Sequence, residues 1–91
     1  MASGWNSNDR TPQVEPMQAY GNRGGESGVA AFSIGARAIV VAFRDGGTYE
    51  YDYRKPGRVE VEAMKALARS GRGLATYINR HVGANYARRL A

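Results

Sequence analysis

The sequence predicts an α+β domain: a three-stranded antiparallel β-meander, followed by two short helices packed on one face of the sheet. Three observations support this prediction. Apolar runs flank an Asp-Gly-Gly turn at residues 45–47, an amphipathic segment follows Pro56, and apolar residues recur at four-residue spacing from Leu74. We expect residues 28–91 to form the domain and residues 1–27 to form a flexible leader.

The hairpin over residues 38–53 is the strongest local signal, because Asp-Gly between alternating hydrophobic residues is typical of a tight turn. Three tyrosines alternate with polar residues on its second arm, so their side chains share one face of the sheet. We predict a three-residue loop at 45–47 with one glycine in the left-handed conformation. This loop gives the register Phe43–Tyr49, Val41–Tyr51 and Ile39–Tyr53.

Three strands are predicted, over residues 28–34, 38–44 and 48–53. Each connection is too short for a parallel crossover, so the strands form an antiparallel meander with the second strand in the centre. Glu50 and Asp52 then lie on an edge strand, where charged side chains discourage further pairing.

Two helices are predicted after Pro56, which cannot continue a strand ladder. The first runs over about residues 59–70 and ends at Gly71, and the second runs over about residues 74–82. Together with the sheet they give a predicted core of Phe32, Ile39, Val41, Phe43, Tyr49, Tyr51, Val61, Met64, Leu67, Leu74, Ile78 and Val82, with Ala68 as an alternative to Leu67.

The composition excludes several classes of function. The chain contains no cysteine, so it has no disulfide framework, no Cys-ligated metal and no thiol nucleophile. His81 is the only histidine and has no clustered carboxylates beside it in the sequence, so we expect no transition-metal site, no cofactor and no enzymatic activity. No apolar run approaches the roughly 20 residues of a membrane span and no signal peptide is visible, so we predict a cytoplasmic protein without a membrane partner.

The positive charge is concentrated in the last third of the chain. Residues 1–62 carry a net charge of −1, whereas residues 63–91 carry six basic residues and no acid. This asymmetry predicts an anionic partner, which is RNA or DNA, an acidic protein surface or a membrane surface, although a solvated face that only keeps the protein in solution explains it equally well. The predicted phosphate contacts are Arg72, Arg80, Arg88 and Arg89, with an anion site before the second helix at Gly73. Tyr53 is the tyrosine predicted to stack on a base.

The order of these features resembles the KTSC domain, a short module found alone in bacterial and phage proteins and at the C-terminus of some lysyl-tRNA synthetases. The matching positions are Phe43, Gly46, Tyr49-Glu50-Tyr51, Pro56, Ser70, Gly73, Tyr77-Ile78-Asn79, Val82, Tyr86 and Arg88-Arg89-Leu90. The interval from Tyr51 to Pro56 is about one residue longer than in the family, so the equivalent Tyr-x-Tyr pair is either 49/51 or 51/53. The association with a tRNA synthetase implies RNA binding.

The alternative prediction is a protein-interaction or assembly module, in a phage or bacterial complex. In this hypothesis residues 1–27 form a docking arm whose anchors are Trp5, Met17 and Tyr20. Trp5 is the main candidate, because a lone tryptophan in a polar segment often anchors an interface. With either function, a flexible leader predicts that deleting residues 1–26 leaves the melting temperature of the domain nearly unchanged.

Overall fold

The computed structural model of the protein describes residues 17–21 and 28–91, and within them it is an α+β fold with one antiparallel five-stranded sheet. The strands lie in the order β1 (Gln18–Ala19), β2 (Val29–Ile34), β3 (Ala38–Phe43), β4 (Thr48–Asp52) and β5 (Arg88–Arg89). Two helices separate β4 from β5: α1 (Arg58–Ser70) and α2 (Leu74–Tyr77), the second of which continues as a π-helical segment (Ile78–Val82).

The three predicted strands are present, but the prediction that the outer two are edges is wrong. Gln18 of β1 pairs with Phe32 of β2, and Arg89 of β5 pairs with Tyr49 of β4. Both additional strands are two residues long, which is too short to show the alternation that identifies a strand in a sequence. Glu50 therefore does not protect an edge, since it faces a strand that carries positive charge.

The hairpin loop has the predicted length but begins one residue earlier. The Phe43 N–H donates to the carbonyl oxygen of Gly47 at 2.8 Å, so the loop is Arg44-Asp45-Gly46. Gly46 has the positive φ angle that the turn requires, +118°. Val41 consequently lies opposite Tyr49 and Ile39 opposite Tyr51, two residues from the predicted register on β4. A two-residue shift keeps every side chain on its predicted face.

The core lies between the helices and one face of the sheet. Most of the predicted core residues are buried there, and Phe43, Tyr49 and Leu67 are partly buried against them. The prediction omitted Val29 because strict alternation from Phe32 points Ala30 inward. A bulge between Val29 and Ala31 reverses that alternation and turns Val29 into the core.

Helix α1 buries one stripe along its length, at spacings of three and four residues: Val61, Met64, Lys65 and Ala68. Ala68 rather than Leu67 completes the buried stripe. The helix ends at Gly71, as predicted, in a left-handed residue whose N–H donates to the carbonyls of Leu67 and Ala68.

Residues 17–21 belong to the folded domain, which corrects the prediction of a flexible leader up to residue 27. Tyr20 is only 5% exposed, and its ring meets Phe32 edge-to-face with the centroids 6.5 Å apart. The Tyr20 hydroxyl accepts a hydrogen bond from the Leu74 N–H at 3.1 Å. Tyr20 is therefore a core residue and is not free to act as a docking anchor. Trp5 lies outside the described residues.

Candidate nucleic-acid interface

Two adjoining depressions open beside the end of β4. The larger has a volume of about 450 Å³ and the smaller about 280 Å³, and both are lined by Asp52 and Arg54. We call their combined surface the cationic cleft, which is lined by Arg37, Glu50, Asp52, Tyr53, Arg54, Lys55, Ala87 and Arg88.

The turn after β4 sets two of the positive charges on the rim of the cationic cleft. Asp52 Oδ1 accepts hydrogen bonds from the backbone N–H groups of Arg54, at 2.9 Å, and Lys55, at 3.0 Å. An Asp side chain that binds the backbone two and three residues further on stabilises such a turn. The turn holds the backbone of Arg54 and Lys55 beside the cleft, and both residues are exposed.

The cleft carries an excess of positive charge, with four cationic side chains and two carboxylates. Arg88 pairs with Glu50, its Nε 2.5 Å from Oε1, and this hydrogen bond raises the pKa of Arg88 further above its already high value. Among the described residues the only other ion pair joins Lys65 to Glu62. Arg37, Arg54 and Lys55 therefore have no ion-pair partner within the described part of the chain.

Tyr53 closes one end of the cleft and is tied to α1. Its hydroxyl donates to Glu62 Oε2 at 2.6 Å, and this hydrogen bond raises the pKa of Tyr53 and lowers the pKa of Glu62. Lys65, which is 5% exposed, holds the same carboxylate at 2.9 Å and donates to the carbonyl of Ala36 at 2.9 Å. These contacts fasten α1 to the β2–β3 turn, so Lys65 is not part of a basic surface.

The ring of Tyr53 already has cationic neighbours. The Arg58 guanidinium lies 5.9 Å from the ring centroid and the Lys65 ammonium 5.7 Å from it, at the outer limit of cation–π contact. A nucleic-acid base stacking on Tyr53 would have to share the ring with these cations. The predicted stacking role of Tyr53 remains a prediction.

The four arginines predicted to bind phosphate do not form one surface. Arg88 and Arg89 are neighbours on β5 and point to opposite faces: Arg88 contacts Glu50, whereas Arg89 lies 5.5 Å from the Tyr49 ring centroid. Arg72 lies near the other edge of the sheet, beside β1. Its neighbour Gly71 packs against Gly21, which follows β1, so closely that a Cβ on Gly21 would be 3.3 Å from the Cα of Gly71.

The predicted anion site before α2 is partly occupied by the protein itself. The N–H of Leu74, the first residue of the helix, donates to the Tyr20 hydroxyl and is not free for a phosphate. Gly73 has a left-handed conformation with φ +84°, so its role is the tight turn between α1 and α2. Arg80 is exposed on the π-helical segment.

Sequence reasoning missed Arg37, Arg54 and Lys55. The sequence offered only their positions as a signal, since Arg54 and Lys55 follow the end of β4 and Arg37 lies in the turn between β2 and β3. Within residues 17–21 and 28–91, no group of three or more His, Asp or Glu is placed to hold a metal ion. No helix in the described ranges is both long enough and apolar enough to cross a bilayer.

Comparison of the chain with known protein families, curated proteins and solved structures gives no match. The resemblance to the KTSC domain therefore remains a prediction.

Proposed function

We propose that this protein is a non-enzymatic binding module that holds nucleic acid by its phosphates in the cationic cleft. The observation that carries the proposal is the set of three exposed cations, Arg37, Arg54 and Lys55, that line one concave surface without an ion-pair partner among the described residues. Contacts from Lys and Arg to phosphates dominate the affinity of most nucleic-acid-binding proteins.

The two carboxylates of the cleft do not cancel this attraction. The charge of Glu50 is balanced by Arg88 at 2.5 Å, and one oxygen of Asp52 is used by the turn amides. The larger depression, at about 450 Å³, has the size of a small-ligand site.

One further feature supports the proposal, since the resemblance to the KTSC domain implies RNA binding through that family's association with a tRNA synthetase. We propose the cytoplasm as the compartment, because a chain without cysteine fits a reducing environment.

The experiment that tests the proposal compares two double variants with equal loss of charge. Arg54→Ala with Lys55→Ala removes the rim of the cleft, whereas Arg72→Ala with Arg80→Ala removes two exposed arginines elsewhere. Fluorescence anisotropy with a labelled random-sequence single-stranded oligonucleotide at low salt measures the affinity of each. We expect the cleft variant to lose on the order of tenfold in affinity and the control to lose much less, because only the cleft cations contact phosphate.

Equal losses in the two variants would show that binding follows net charge alone and that the cleft is not the site. A larger loss in the Arg72 and Arg80 variant would instead favour the prediction that the basic last third of the chain binds nucleic acid.

The second candidate function is protein interaction or assembly. Met17 and Leu90 are 43% and 48% exposed, and alternation from Gln18 and Arg89 places both on the sheet face that points away from the helices. If the protein self-associates through this face, light scattering should detect an oligomer that disappears when both residues are replaced with Asp. Val59→Asp, at a 75% exposed apolar position on α1, is the matched control and should leave the oligomer intact. A monomer at all concentrations would exclude homo-oligomeric assembly.

A further inference from the structure

The cationic cleft is lined by both cations and carboxylates, and a ligand that offered only phosphate oxygens would use the cations alone. Its cations attract phosphate oxygens, and the same depression is lined by Glu50 and Asp52, whose charges are offset by Arg88 and by the turn amides but whose carboxylates remain hydrogen-bond acceptors. A ligand matched to both must therefore carry hydrogen-bond donors close to its negative charge.

Each of the two carboxylates has one oxygen engaged. Glu50 uses Oε1 for Arg88, and Asp52 uses Oδ1 for the amides of Arg54 and Lys55. No hydrogen bond from the described residues reaches Glu50 Oε2 or Asp52 Oδ2. Both carboxylates thus have an oxygen available as an acceptor at the cleft.

We infer that the cleft selects RNA over DNA, with the free oxygen of Asp52 or Glu50 accepting a hydrogen bond from a ribose 2′-hydroxyl while the neighbouring cations hold the phosphate. The 2′-hydroxyl is the group by which a protein distinguishes the two nucleic acids at a given site. In a strand, the ribose that carries this hydroxyl is bonded directly to a phosphate on either side. This inference rests on the proposed function, since it concerns the same cleft.

Asp52 is the better determinant of the two, because it lies between the two depressions and lines both. Glu50 lies deeper, with a side chain that is 20% exposed, and it is occupied by Arg88. The substitution Asp52→Asn retains an oxygen for the turn amides and replaces the free carboxylate oxygen with an NH₂ donor. It therefore changes ligand recognition while leaving the turn in place.

The test measures the affinity of the full-length protein for three labelled oligonucleotides of one random-sequence pool: RNA, DNA and 2′-O-methyl RNA. RNA should bind on the order of tenfold more tightly than DNA, the ratio that one hydrogen bond to a charged acceptor supplies. The 2′-O-methyl RNA keeps the RNA-like sugar geometry but has no 2′ donor, so it should bind like DNA. Asp52→Asn should remove the preference for RNA without reducing DNA binding.

A matched control is Glu60→Gln, which removes one negative charge at the start of α1 and should raise the affinity for all three oligonucleotides equally. Equal binding of RNA and DNA by the wild-type protein would overturn the inference and leave the proposed function intact. Binding of 2′-O-methyl RNA as tightly as RNA would also overturn it, since shape and not the hydroxyl would then be recognised. Failure to bind any of the three at low salt would refute the proposed function itself.

Discussion

The substitution Tyr20→Ala tests whether the segment before residue 28 is part of the folded domain. Tyr20 is 5% exposed, packs on Phe32, and accepts a hydrogen bond from the Leu74 N–H. Truncating a large buried aromatic residue costs about 3–5 kcal/mol. A domain of this size has a total stability near 5 kcal/mol, so Tyr20→Ala should leave it only marginally folded at room temperature.

The milder variant Tyr20→Phe separates the hydrogen bond from the packing. It retains the ring but leaves the Leu74 N–H buried without its partner, which costs roughly 1–3 kcal/mol. Urea unfolding followed by circular dichroism gives both free energies, with Met17→Ala, at a position 43% exposed on the same segment, as the control.

A pair of deletions completes this test. Removing residues 1–16 keeps β1, whereas removing residues 1–26 takes away both β1 and Tyr20, so only the second should be strongly destabilising. This reverses the expectation from sequence that the longer deletion is harmless. A loss below about 0.5 kcal/mol for Tyr20→Ala, which is the range of surface substitutions, would refute the place assigned to β1.

Three further predictions concern stability. Burial, followed by the neighbouring tyrosines, raises the pKa of Tyr51 from 10.0 to about 12. The neutral phenol therefore contributes its full share of the folding free energy below pH 10, and about 2–3 kcal/mol of stability is lost between pH 10 and 12. Urea unfolding across this window should show the loss in the wild-type protein and a smaller loss in Tyr51→Phe, and a flat wild-type profile would contradict the prediction. Lys65→Met should cost about 1–3 kcal/mol, because the Ala36 carbonyl loses its charged donor, whereas Glu62 is 47% exposed and is solvated by water instead; an unchanged free energy of unfolding in the same assay would show that these contacts do not fasten α1 to the β2–β3 turn. Gly47→Ala should lower stability by about 1–3 kcal/mol, because its Cβ would lie 2.5 Å from the Tyr49 ring; an unchanged melting temperature would mean that the ring moves aside freely.

The sequence predicted the faces of the hairpin better than its register. Alternation assigns faces with a period of two, and the observed shift on β4 is also two residues, so Tyr51 is still buried although its partner is Ile39 and not Val41. The register itself depends on which three residues form the loop. Asp45-Gly46-Gly47 and Arg44-Asp45-Gly46 are both acceptable turn sequences, and the close approach of Gly47 to the Tyr49 ring became visible only in the fold.

The cationic cleft could not be read from the sequence because it is assembled across separate elements. Arg37 lies in the turn before β3, Lys55 in the turn after β4, and Arg88 on β5. The antiparallel hairpin and the late strand β5 bring these turns together. Conversely, the dense positive charge of residues 63–91 is dispersed by the fold, because α1 buries Lys65 and the arginines lie at different edges of the sheet.

The salt dependence of nucleic-acid binding is the most direct test of the cationic cleft. Three cations without ion-pair partners predict about three phosphate contacts, so log K should fall with log salt at a slope of about −2 for a single strand. The Arg54→Ala, Lys55→Ala double variant should reduce that slope to about −0.7, since one of the three contacts remains. A slope that is unchanged by these substitutions, or no binding by the wild-type protein at low salt, would contradict the assignment of the cleft as the phosphate-binding site.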